Sequence, residues 1–207
     1  MRATFFEIAR ILGHRESYIE ILFDKISSKY NEPHRFYHTL VHLEKMWKNI
    51  SDLVGNSNKF SLLLLATVYH DIIYDTHSST NEENSFKELE NDFGKLLLFH
   101  ELDELENLII GTKKHELFEP CFEHELFLDS DLLILGSEKK EYIEYRDSIR
   151  KEYNWVDEET YRNERAKVLQ SFLDRKFIYY TYQMQRNYEE KARNNLKEEI
   201  QFLKGQK

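Results

Sequence analysis

Four residues of the chain carry the clearest chemistry: His42, the adjacent pair His70-Asp71, and Asp131. Imidazole and carboxylate together make a mid-hardness donor set, suited to a divalent Mn, Fe, Co, Ni, Zn or Mg ion. The pair follows SLLLLATVY (Ser61 to Tyr69), apolar on nearly every face, which marks a helix buried all round. An ionised Asp71 at the end of such a helix is costly unless a cation or hydrogen-bond donors compensate it. His38 precedes His42 by four residues, so a helix through both would set them one turn apart on one side. At about 100° per residue, Leu43, Met46, Trp47, Ile50, Leu53 and Val54 form the buried arc of that helix, with the two histidines at its edge. Arg35, a further turn ahead, could bind phosphate oxygens through its planar fork. Arg150 and Arg165 lie on charge-rich segments where an i,i+4 ion pair is the default expectation.

Helical periodicity dominates the elements that must hold these residues. Helices are expected near 3–12, 16–30, 37–54, 59–75, 81–98, 101–112, 122–135, 138–152, 157–175 and 186–204. Asn81 reads as an N-cap, and Gly136 suits the end of the helix carrying Asp131. In the last helix, Tyr188, Ala192, Leu196, Ile200 and Leu203 make one stripe with charges elsewhere, the pattern of a solvated helix docked on a core. Only 6 Gly and 2 Pro leave little turn chemistry for a many-stranded fold. The expectation is an all-α, single-domain bundle over residues 1–207.

Composition narrows the classes of function. With 41% hydrophobic and 14% aromatic residues the chain is globular and not disordered. A net charge of −9 argues against general nucleic-acid binding through phosphate neutralisation. The single Cys121 cannot form an internal disulfide, which is compatible with a reducing cytoplasm. MRATFFEIARIL at the N-terminus reads as an amphipathic helix and not a leader, because Glu7 interrupts its apolar run. No stretch approaches the roughly 18 to 20 apolar residues of a membrane span, so no membrane partner and a cytoplasmic location are expected. There is no Gly-rich phosphate loop, no nucleophile elbow and no paired CxxC.

The order His…His-Asp…Asp resembles the signature of the HD superfamily of metal-dependent phosphohydrolases. RFYHTLVH (Arg35 to His42), YHDIIYD (Tyr69 to Asp75), NEENS (Asn81 to Ser85), GTKKH (Gly111 to His115), DSDLLILG (Asp129 to Gly136) and IRKEY (Ile149 to Tyr153) look like its bacterial "predicted metal-dependent HD phosphohydrolase" subgroup. The resemblance runs from about residue 30 to the C-terminus. It implies an HD-type bundle of roughly 8–11 helices, with a metal-binding core over about 30–153 and covering helices over about 154–207. It implies that His42, His70, Asp71 and Asp131 ligate a divalent metal, with Asp131 rather than Asp129 as the final ligand. In the related cyclic-nucleotide phosphodiesterases, the first His of a Tyr-His-Asn-x-x-His stretch is the proton donor. By that resemblance His38 is the general acid, although this chain has Thr39 where that group has Asn. Arg35 and Asp71 complete the expected catalytic set. Some HD proteins use further histidines for a second metal or for phosphate, a role that falls to His115, with Glu82 and Asn81 of NEENS beside it. The expected substrate is a nucleotide or other small phosphorylated molecule, and a homo-oligomer is compatible with the family. Two alternatives stand beside hydrolysis. One is a di-iron oxygenase on the same scaffold; the other is a non-catalytic sensor that binds a nucleotide. His100 and His124 lie in polar stretches without a matching word.

Overall fold

A computed structural model of the chain describes residues 1–55 and 57–205. Among the described residues there are ten α-helices, one 3-10 helix and no strand, as the helical periodicity requires. No helix among them is long and apolar enough to cross a membrane. By its contacts the chain divides into two units, Met1–Ser130 and Asp131–Lys207.

The first unit contains α1 (Arg2–Ile11), α2 (Glu16–Tyr30), α3 (Leu40–Val54), α4 (Phe60–Tyr69), α5 (Asn81–Phe93) and α6 (Phe99–Thr112), and it ends within α7 (Phe122–Asp131). Helix α4 is its centre and packs on α1, α3, α5 and α6. Every residue from Leu62 to Tyr69 is buried, so α4 has no solvent face to pattern, as its unbroken apolar run predicts. An aromatic cluster of Phe5, Phe6, Phe23, Phe93 and Tyr69 fills the space between α1, α2, α4 and α5. Beside it the Lys25 ammonium meets Glu88 and Asp92, and the Tyr69 hydroxyl donates to Asp92 at 2.7 Å. These bonds satisfy the charges that the interior would otherwise penalise.

The second unit contains the 3-10 helix Leu132–Gly136, α8 (Lys139–Glu152), α9 (Glu158–Leu173) and α10 (Tyr182–Leu203). Helix α10 packs on the 3-10 helix and on α9. The Thr181 hydroxyl caps its start by accepting from the Met184 N–H, which begins the helix six residues before the apolar stripe does. Its buried face contains Ala192, Leu196, Ile200 and Leu203 as expected, but also Asn195 and Glu199. Asn195 donates to the carbonyls of Leu135 and Ser137 at 2.9 and 3.0 Å. Glu199 binds Arg165 at 2.9 Å and accepts from the Tyr142 hydroxyl. Arg165 therefore pairs across helices and not with an i,i+4 neighbour. Arg150 does meet a carboxylate, Glu158 at 3.2 Å, and also donates to the carbonyls of Tyr153 and Val156.

Candidate metal centre

Two helices end closer to the site than periodicity alone suggests. Helix α3 begins at Leu40, with Thr39 extended before it (φ −119°, ψ 176°). His42 is therefore in the first turn of α3, whereas His38 lies in the preceding connection, so the one-turn relation expected between them does not hold. Helix α4 stops at Tyr69, and His70 and Asp71 occupy the turn beyond it. That turn resolves the geometric problem of a His-Asp pair, since neighbours on a regular helix point about 100° apart.

His42 and His70 are buried, and their rings lie 5.5 Å apart, edge to face. With half-buried Asp131, the last residue of α7, they offer three ligand atoms that all lie within 4.8 Å of one another. Two ligands bound to one ion at about 2.1 Å can be no more than about 4.2 Å apart. Contraction by well under an ångström would bring this set to bonding distance, and the donor types suit a divalent ion. These residues could hold a metal.

Asp71 lies beside the three and is not a member of the mutually close set. Its Oδ2 is 3.2 Å from His70 Nε2 and 3.9 Å from His38 Nε2. The His70 ring is oriented from behind, because its Nδ1 lies 3.0 Å from the Thr67 carbonyl. A proton on Nδ1 donates to that carbonyl and leaves the Nε2 lone pair for the site. His38 remains partly exposed, and its ring packs on Tyr74 at 4.3 Å and on Tyr37 at 5.0 Å. Tyr37 also meets the His42 ring at 4.9 Å. Tyr69, next to His70, is pushed well above its ordinary pKa by burial and by Asp92, so it stays a neutral donor.

The remaining expected residues take other places. Arg35 is buried, and its guanidinium donates to the carbonyls of Asp71, Ile72 and His38 and to the Glu32 carboxylate. Glu82 is in the first turn of α5, 3.5 Å from Lys113, which also contacts Glu83 and the Ser79 carbonyl at 2.6 Å. His115 follows α6 with a positive φ of 50°, outside the three-residue cluster. Asn81 does not cap α5, whose N-cap is Thr80. It braces the loop before it instead, accepting from the Asp75 N–H and donating to the Asp75 carbonyl. Asp129 is fully buried on α7. His124 is buried as well, contrary to its polar sequence surroundings, and lies 3.1 Å from Glu104. Glu104 also meets Lys59, whose amine lies 3.8 Å from the Cys121 sulfur.

Sequence reasoning missed Thr67 and Ser85. Thr67 is three residues before His70, and its carbonyl at the helix end is open to a side chain. Ser85 accepts from the Ile73 N–H at 3.1 Å and steadies the loop after the His-Asp pair. Comparison with protein-family models, curated proteins and solved structures found no match to this chain.

Proposed function

We propose that the protein is a metal-dependent phosphohydrolase acting on a nucleotide or another small phosphate ester. The observation that carries this reading is the convergence of His42, His70 and Asp131, residues far apart in sequence, to within 4.8 Å. The ordered words resembling the HD superfamily supply the reaction class. A divalent cation held by these residues would acidify a bound water and offset charge on the phosphoryl oxygens. His70 offers Nε2 because Thr67 occupies Nδ1. Asp71, 3.2 Å from that nitrogen, would either ligate or take a proton at Oδ2. His38, more exposed and 3.9 Å from the same oxygen, would supply the proton that a departing ester oxygen requires.

The test is a screen of metal-stripped protein, reloaded with Mn, Fe, Co, Ni, Zn or Mg, against nucleotides, cyclic nucleotides and generic phosphate esters. One metal should restore turnover. His70→Ala and Asp131→Asn should abolish both metal binding and turnover without loss of helical circular dichroism. Unchanged phosphatase turnover in folded Asp71→Ala would sink the reading. Two irons per chain with oxygen uptake would replace it by an oxygenase, and tight nucleotide binding without turnover by a sensor.

A further inference from the structure

We infer that Arg35 is the positioning residue of the candidate metal centre, a buried strut that fixes the backbone at His38 and at the Asp71-Ile72 turn that follows His70. The inference rests on the metal-centre reading for its function and on the hydrogen bonds of Arg35 for its geometry. The side chain of Arg35 has 0% exposure. Its Nη1 donates to the Asp71 carbonyl at 2.7 Å and to the His38 carbonyl at 3.3 Å. Its Nη2 donates to the Ile72 carbonyl at 2.9 Å, and its Nε to Glu32 at 3.1 Å. The guanidinium also lies against the rings of Tyr30 and Tyr74, at 4.9 and 5.3 Å.

Three features distinguish this arrangement from ordinary buried-arginine packing. First, the main-chain atoms it holds belong to His38, Asp71 and the next residue, Ile72. One nitrogen bridges two segments more than 30 residues apart, so both must be in place together. Second, Asp71 and Ile72 lie past the end of α4, where the regular helical ladder no longer organises the carbonyls. Two successive carbonyls are met by two nitrogens of one planar fork, a match that the compact ammonium of lysine does not reproduce. Third, the same segments are stitched once more nearby, since His34 Nε2 lies 2.8 Å from the Tyr74 carbonyl. A fork buried and engaged in this way is not available to clamp a phosphate. It acts through the residues that it holds.

The experiment compares wild-type protein with Arg35→Gln and Arg35→Lys in two measurements. Cobalt(II) titration reads affinity and the visible ligand-field bands. Imidazole nitrogen resonances of the metal-free protein read ring environment directly, with His124 as an internal reference. The strut predicts that R35Q weakens cobalt affinity roughly 10- to 100-fold and alters the bands, the usual scale for outer-sphere partners of metal ligands. R35K should fall between R35Q and wild type. Resonances of His38 and His70 should shift in both variants while His124 stays put. A folded R35Q with wild-type affinity, bands and resonances would overturn the inference. Should R35Q not fold, R35K decides alone: weakened binding sustains the strut, and wild-type behaviour overturns it. Should wild type take up no cobalt, the metal reading falls by itself, and the resonance shifts alone decide the positioning role.

Discussion

At the scale of single residues, the site and the core obey the same rule: a buried polar group is kept by a specific partner. Glu199 shows it most clearly, with its side chain 1% exposed between the Arg165 guanidinium and the Tyr142 hydroxyl. Burial opposes the charge on Arg165, but Tyr145 and Glu199 outweigh it and raise the pKa further above its ordinary value. Glu199→Ala should therefore lower stability by about 3–5 kcal/mol in urea unfolding, since it leaves a buried cation uncompensated. Replacing Arg165 and Glu199 together by methionine should recover most of that loss. Neither partner was legible as such in the sequence, because a hydrophobic stripe sorts residues by apolarity and counts every Glu as solvated. His42, His70 and Asp131 were legible for the opposite reason. Their types are metal-ligand types, and the apolar run before His70 excluded the surface.

At the scale of elements, helix existence followed from periodicity, while the ends that matter to function did not. Periodicity cannot register that Arg35 holds the chain on both sides of the site, at His38 and at Asp71 and Ile72, outside α3 and α4. A helix expected over 122–135 likewise tightens after Asp131 into the 3-10 helix that ends at Gly136. Gly136 ends that 3-10 helix, and close packing requires its lack of a side chain. A Cβ at this position would lie 2.6 Å from the Tyr188 Cβ, 2.9 Å from the Tyr179 hydroxyl and 3.0 Å from the Tyr188 carbonyl oxygen. Alanine gains up to about 1 kcal/mol over glycine in helical backbone. Overpacking against a fixed backbone costs about 1–3 kcal/mol. The clash wins, and Gly136→Ala should lower the unfolding midpoint, most directly by loosening α10 from the 3-10 helix, readable as faster amide exchange over Tyr188 to Ala192.

At the scale of the whole molecule, titrating groups bound the pH range of stability on both sides. The charge on Lys25 is opposed by burial, but bonds to Asp92 and Glu88 outweigh it and raise its pKa above 10.5. Tyr69 is raised well above 10.0 by burial and Asp92, and Tyr161 is pushed up to about 12, chiefly by burial. Folded values above unfolded ones give stability that is complete below about pH 10 and is lost as pH rises through the folded values. On the acid side, Glu123 is lowered by the hydrogen bond from Ser57, and Asp157 by the N–H of Thr160. Their contribution is present above about pH 4.5 and is lost as pH falls through the lowered values. Burial lowers His14 below its ordinary 6.5, so its contribution is lost first as pH falls, and chemical denaturation at stepped pH should show a plateau between about pH 6.5 and pH 10. Tyrosinate absorbance should rise in two phases, the second coinciding with loss of helix. A plateau that began to fall near pH 8 would contradict this assignment. The burial of α4 from Leu62 to Tyr69 has a consequence for the order in which the chain is made. Its neighbours α1 and α3 precede it, but α5 and α6 follow, and α6 is finished only roughly 40 residues after α4 ends. At about 5–20 residues per second, the ribosome holds a leucine-rich helix with only part of its surface covered for a matter of seconds before the last of its cover is synthesised. The segment that delivers His70 to the site is thus also the one for which a nascent chain most needs protection.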